Sequence, residues 1–387
     1  MANTYSSCLI TSPNWRDEAE VCCQRVLDDL GGEPDVVILF VSPHFQPELQ
    51  EIAAVLQTHI CARHMLGCIG DSIASDGQEI EGDPAIAVWA ARLPTTMLES
   101  AHLKFERTAD GGRIAGWPVS WPSPLPADSV LLVLGEPFSF PPDLLLAQLE
   151  NDHPAVPVIG GMASGFHEPE KNHVLLGDAV HVDGAVVLLI QGEVSLKTVV
   201  SQGCRPIDKR FVITKVERNV ILELGGKPAI DVLEAVFASL PTSEQESMRQ
   251  GFHLGRVVSE YQDEYAMGDF IIRNVVGLDT DQEGIVVADY FKVGQTVQFH
   301  LRDEESADHE LRQLLKQTDT MTAQAALLFT CNGRGTRMFA EPHHDTGVIK
   351  ECLGEIPLAG FFAQGEIGPV GEKNFVHGFT ASVLIFE

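Results

Sequence analysis

The side chains best suited to chemistry cluster in two glycine-rich stretches near the C-terminus. The first is Cys331-Asn332-Gly333-Arg334-Gly335, which ends an apolar run from Ala325. Two glycines around Arg334 allow a turn with positive φ that leaves backbone N–H groups unpaired. A guanidinium there can grip a carboxylate or phosphate through two parallel hydrogen bonds. The second stretch places Gln364 and Glu366, then Asn374 and His377, where apolar strands end. Buried polar groups at such positions need partners, either one another or a ligand. Together Asn332, Gly333, Arg334, Gly335, Gln364, Glu366, Asn374 and His377 form a candidate site for a small anionic or zwitterionic ligand, with Glu366 able to pair a ligand ammonium.

Other chemistries are less well supported. The loop around Arg334 lacks the spacing of a nucleotide P-loop, and no Gly-x-Gly-x-x-Gly follows a strand. Glu341-Pro342-His343-His344-Asp345 carries metal-type side chains, but adjacent loop histidines diverge, and a structural role is expected. Cys331 ends a strand, where a nucleophile could sit, yet no nucleophile elbow or paired base accompanies it. The sequence therefore reads as a non-enzyme with no metal site.

These residues are positioned by a recurring strand–helix–strand device. One copy runs over residues 35–93, with glycines at Gly67 and Gly70 and polar groups at Asp71 and Ser72. A second runs over 129–190, through Gly160-Gly161 to Met162, Ser164 and Gly165, and the C-terminal copy covers 325–387. A weaker fourth is expected over 220–276. About thirty residues separate first strand from glycine turn, the length of one βαβ crossover. Hairpins are expected between Phe211–Thr214 and Val220–Leu224, and between Gly284–Tyr290 and Thr296–Leu301. The fold class that follows is α+β: pseudo-symmetric mixed sheets built from β-α-β-β units, with helices on the outer faces and two packed halves. The halves are expected at 1–217 and 218–387.

Composition narrows the partners. The chain has 387 residues, 44% of them hydrophobic, enough for a sizeable core, and a net charge of -29. Such acidity repels nucleic acid and anionic lipid. No apolar run approaches the roughly 20 residues that span a bilayer, and no basic-then-apolar leader opens the chain. The eight cysteines include no Cys-x-x-Cys pair and lie mostly in apolar runs, as reduced core thiols do. A cytoplasmic location is expected.

Several motifs together resemble the FIST sensory domain, in its N-terminal and C-terminal parts. They are Leu66-Gly67-Cys68, Ile159-Gly160-Gly161, Gln202 to Ile207, Leu328 to Gly335, Pro357 to Pro369 and Asn374 to Thr380. The family's first glycine turn more often reads Gly-Cys-Ser/Thr-Thr/Ala-Gly, whereas this chain has Gly67-Cys68-Ile69-Gly70-Asp71. The resemblance implies a sensory, ligand-binding role in signal transduction, with amino acids or other small carboxylates as ligands. Output would pass through a separate signalling protein. No cofactor is expected on the leading reading. One alternative is a haem-binding nitric oxide sensor with His377 as axial ligand. Another is an interaction scaffold like the family members fused to F-box modules.

Overall fold

The computed structural model describes residues 2–109, 111–154, 156–261, 265, 268–317 and 322–387, the side chains of Asp208 and Gln250 excepted. It divides into two compact units, Met1–Val200 with Arg312–Glu387, and Ser201–Leu311. These units do not follow the expected halves. The boundary expected at 217/218 falls in the turn of a hairpin within the second unit.

The first unit holds three mixed sheets with one shared strand plan. In each, a first strand pairs in parallel with a second across a helical crossover and antiparallel with a third. The first, second and third strands are Val36–Val41, His64–Ile69 and Ile86–Arg92. Their counterparts are Ser129–Gly135, Val158–Met162 and Ala185–Gly192, then Ala325–Cys331, Leu358–Ala363 and Ala381–Phe386. A flanking strand extends each sheet beyond the third strand: Thr4–Ile10, Thr96–Thr108 and Leu196–Ser201 respectively.

Between its second and third strands each copy extrudes a hairpin, and each hairpin joins the sheet of another copy. Ser72–Ser75, from the first copy, pairs with Leu358–Ala363 of the third. Val174–Leu176, from the second, pairs with His64–Ile69 of the first. Glu366–Val370, from the third, pairs with Val158–Met162 of the second. The exchange is cyclic, and it covers the open edge of every second strand, an exposed edge being a template for unwanted pairing.

Period-two alternation sorts the strand residues. Val36, Ile38 and Phe40 share one central core with Leu132 and Leu134 of the second sheet and Leu327 and Phe329 of the third. Val37, Leu39 and Val41 face outward onto helices Trp15–Leu30 and Leu49–Ile60. Leu131 and Val133 likewise meet helix Pro142–Asp152. Phe40 lies 5.0 Å from Phe361, and Trp89 lies 4.9 Å from Phe386, ring centre to ring centre, which joins the inner faces of the first and third sheets.

The second unit is different. Cys204–Glu217, Thr296–Arg302, His253–Val257, Phe270–Asp279, Gly284–Val287 and Val220–Leu224 pair in that order, and the last pairs back to the first. All six pairings are antiparallel, so the sheet closes on itself as a barrel. Val297, Phe299 and Leu301 fill its interior with Leu254, Ile285 and Val287. The expected fourth copy at 220–276 is corrected here. Val220–Leu224 takes antiparallel partners, and His253–Val257 pairs with Phe270–Asp279 and Thr296–Arg302 rather than in parallel with it. The hairpin at Glu217-Arg218-Asn219 forms as expected. Gly284–Val287 and Thr296–Arg302 sit apart in the barrel order and are not a hairpin.

Candidate functional site

The glycine bends of the three copies do converge, and their polar groups satisfy one another. Ser164, fully buried, is the meeting point. Its N–H donates to Ile69 C=O at 3.0 Å, and its hydroxyl accepts from the Asp71 N–H at 2.7 Å and donates to Phe362 C=O. The Met162 N–H donates to Gly365 C=O, and the Gln364 N–H donates to Met162 C=O.

Arg334 is also committed. Its side chain is fully buried, with Nε 2.8 Å and Nη2 2.6 Å from the two oxygens of Asp345, and Nη1 3.3 Å from Phe379 C=O. Its guanidinium lies 5.1 Å from the Phe339 ring, which stacks on His344. Helix His344–Leu353 begins at the turn that carries Asp345 back to the arginine. The expectation of an open guanidinium gripping a ligand is therefore corrected: a neighbouring carboxylate and a backbone carbonyl take that role. Burial would raise the Asp345 pKa, but the charge and hydrogen bonds of Arg334 outweigh it and hold the carboxyl well below its usual range.

The remaining nominated residues are structural in the same way. Asn332 N–H donates to Ala363 C=O, and Gly333 N–H to the Cys331 sulfur. A Cβ at Gly333 would strike the Phe379 ring, and Gly335, at φ +60°, packs on Glu81 and Phe362. Glu81 accepts from the Thr336 N–H and hydroxyl. Asn374 staples the strand Val158–Met162: its amide NH2 donates to Val156 C=O and its oxygen accepts from the Val158 N–H, each at 2.8 Å. His377 is buried with Nε2 2.9 Å from Gly368 C=O, a poor arrangement for an axial haem ligand. Glu366 accepts from the Thr380 N–H, and burial pushes its carboxyl up to about 8. Cys331 is pushed up to about 12 by burial and by Glu366 beside it, so its thiol stays protonated and poorly nucleophilic. Glu79 was not anticipated. It accepts from the Thr346 N–H, and burial and Asp345 push it to about 8. The histidines of the 341–345 loop bind protein rather than metal: His343 accepts from the Glu79 N–H, and His344 contacts Asp345. No cluster suited to a metal ion occurs among the described residues.

A cavity of about 340 Å³ lies on the outer face of the barrel in the second unit, lined in part by Gln202, Arg210, Phe270, Gln298, His300 and Glu310. It exists because Gln298 and His300 alternate with the inward Val297, Phe299 and Leu301, and so turn polar groups outward. The His300 ring is seated over Gly255, where any Cβ would lie 2.4 Å from it. His300 is 2% exposed, and burial lowers its pKa to about 4. Its Nδ1 contacts Gln298 C=O at 3.0 Å, which sets Nδ1 as the protonated nitrogen and leaves Nε2 as an acceptor. Gln202 is locked by bonds to Phe270 C=O and the Ile272 N–H, and Glu310 accepts from the Ser201 hydroxyl and the Gly203 N–H. Lys209 and Arg210 stand exposed at the rim, with Arg210 4.9 Å over the Tyr265 ring. Sequence reasoning quoted Gln202 to Ile207 as a motif without seeing a cavity. The legible signals were a Lys-Arg doublet in an acidic chain and polar residues alternating through Thr296–Arg302.

Three interlocked mixed sheets in one unit and a closed antiparallel barrel in the other, with a polar-floored cavity on its outer face, define a mixed α+β protein. Family models identify it further. The FIST N domain matches residues 35–227 and the FIST C domain matches 229–369. The chain belongs to the FIST family. Full-length relatives include the uncharacterised proteins Rv0628c of Mycobacterium tuberculosis and Mb0898c of Mycobacterium bovis. Each is 37% identical, over 380 and 381 residues, and the alignments cover 97% of both chains. The family is consistent with a sensory role, and no described helix is long and apolar enough to cross a membrane.

Proposed function

We propose that this protein is a non-enzymatic sensor of a small carboxylate, such as an amino acid or organic acid, held in the barrel cavity and reported through a separate signalling partner. One observation carries the reading: a neutral, buried His300 acceptor lines a cavity whose rim bears Lys209 and Arg210. The rim cations suit a carboxylate, and the floor acceptor suits an N–H or O–H on the same molecule. Gly333–Gly335, Gln364, Glu366, Asn374 and His377 then stabilise the three-sheet unit rather than touch the ligand.

Haem fits this cavity poorly. His300 offers a suitable nitrogen, but about 340 Å³ is at the small end of ligand sites and too little for a tetrapyrrole. The test is a thermal-shift and calorimetric screen of amino acids and organic acids. A stabilising carboxylate is expected to bind about tenfold more weakly to Arg210→Ala, a loss of about 1.4 kcal/mol. Stabilisation that survives both Arg210→Ala and His300→Ala overturns the site. A Soret band that appears with added haemin and disappears in His300→Ala replaces the carboxylate with haem.

A further inference from the structure

A second concavity of about 710 Å³ adjoins the cavity and shares Lys209 and Arg210 with it. It runs between the strands Cys204–Glu217 and Val220–Leu224 and the helix Ala229–Ser239. Its floor is apolar: Leu224, Val232 and Val236 are buried there, and Phe211 is half-buried. Val212, also in the lining, is 45% exposed. Its rim carries three cations, Lys209, Arg210 and Lys227, and one carboxylate, Asp231, all exposed.

The charge pattern is the informative part. The chain has 55 acidic and 26 basic residues, so a surface cation is normally within reach of a carboxylate. None of Lys209, Arg210 and Lys227 has a carboxylate partner among the described residues. Two of them instead lie over aromatic rings, Lys209 over Phe211 and Arg210 over Tyr265. With three cations to one carboxylate among its described lining residues, the rim around this apolar floor is complementary to a segment with one apolar and one acidic face. An added β-strand is disfavoured, because Cys204–Glu217 is already paired on both sides by Thr296–Arg302 and Val220–Leu224. A helix laid in the groove needs no free strand edge.

We infer that this groove docks a short acidic amphipathic helix from a partner protein, and that a carboxylate in the adjoining cavity weakens the docking by occupying Lys209 and Arg210. The docking surface stands on its own residues, while the coupling rests on the carboxylate reading above. Lys227 lines the groove but not the cavity, so it separates the two.

The probe is a fluorescein-labelled helical peptide of about four turns, with leucines at helical spacing on one face and glutamates elsewhere. Its control has every glutamate replaced by lysine. Anisotropy titration of the full chain is expected to show binding of the acidic peptide alone, weakened by added salt and at least about tenfold by Lys227→Glu. Val212→Asp, a second exposed change, is expected to weaken it as well. Lys227→Glu should leave any carboxylate stabilisation intact. Equal binding of both peptides, no binding, or indifference to both substitutions overturns the docking surface. If the acidic peptide binds and a stabilising carboxylate does not displace it, the coupling falls and the surface stands. If no carboxylate stabilises the chain at all, the sensor reading fails on its own, and the Lys227 comparison still decides the groove.

Discussion

At the scale of residues, the buried charges near Arg334 decide how the three-sheet unit responds to pH. Arg334 and Asp345 neutralise each other, and neither Glu79 nor Glu366 has an ion pair among the described residues, so the charge of Arg334 only partly offsets their burial. Both are buried, and each has one oxygen without a hydrogen bond among the described residues, Oε2 of Glu79 and Oε1 of Glu366. Burial raises both from 4.5 to about 8. The folded state therefore holds protons that the unfolded chain has released, so the contribution of these two carboxyls to stability is full below pH 4.5 and is lost as pH rises through about 8. The midpoint of thermal unfolding of this unit should fall through that window, and Glu366→Gln should flatten the slope while the amide oxygen still accepts from Thr380. A variant with an unchanged slope would place the proton uptake elsewhere. The importance of Arg334 was legible, since an arginine between glycines in an acidic chain is conspicuous. Its partner was not: Asp345 is eleven residues on, and only the turn into helix His344–Leu353 brings it back.

At the scale of elements, the glycines that marked each copy do a different job from the one their motifs suggested. Gly67, Gly160 and Gly360 sit within second strands, opposite Leu39, Val133 and Leu328 of the first strands. A Cβ at these positions would lie 2.3, 1.9 and 2.1 Å from the facing carbonyl oxygens. The same collision at the same register in all three copies means that each parallel pair closes around a missing side chain. Gly360→Ala must push Ala325–Cys331 and Leu358–Ala363 apart, and should cost on the order of 1–3 kcal/mol in urea unfolding. A neutral effect would show that the pair has slack. The three strong copies were legible because strand lengths, crossover lengths and these glycines recur together. The fourth failed because similar lengths do not choose partners. Val220–Leu224 closes a tight hairpin with the strand just before it, and that short loop costs less chain entropy than a crossover to His253–Val257.

At the scale of the molecule, the α+β class and the outward helices followed from apolar runs and crossover lengths, but the cyclic exchange of hairpins did not. The pairing of Ala359 with Ser75 joins residues far apart in sequence, and the alternation of a short hairpin is the same whichever sheet receives it. The exchange makes the three-sheet unit indivisible even though its copies look modular. A chain ending at residue 217 keeps two complete copies by sequence. It loses Leu358–Ala363, the partner of the first copy's hairpin, and Glu366–Val370, which covers the edge of Val158–Met162. It also strips Phe329, Phe361 and Phe386 from the central core. That fragment should lack near-ultraviolet circular dichroism and a cooperative urea transition, and should self-associate through its open edge strand. Adding residues 312–387 as a separate chain should restore both signals, because every pairing lost from the three-sheet unit lies in that segment, the unpaired barrel strand Cys204–Glu217 belonging to the other unit. A fragment of residues 1–217 that unfolds cooperatively as a monomer would mean that each copy is stable alone and that the exchange is incidental to the fold.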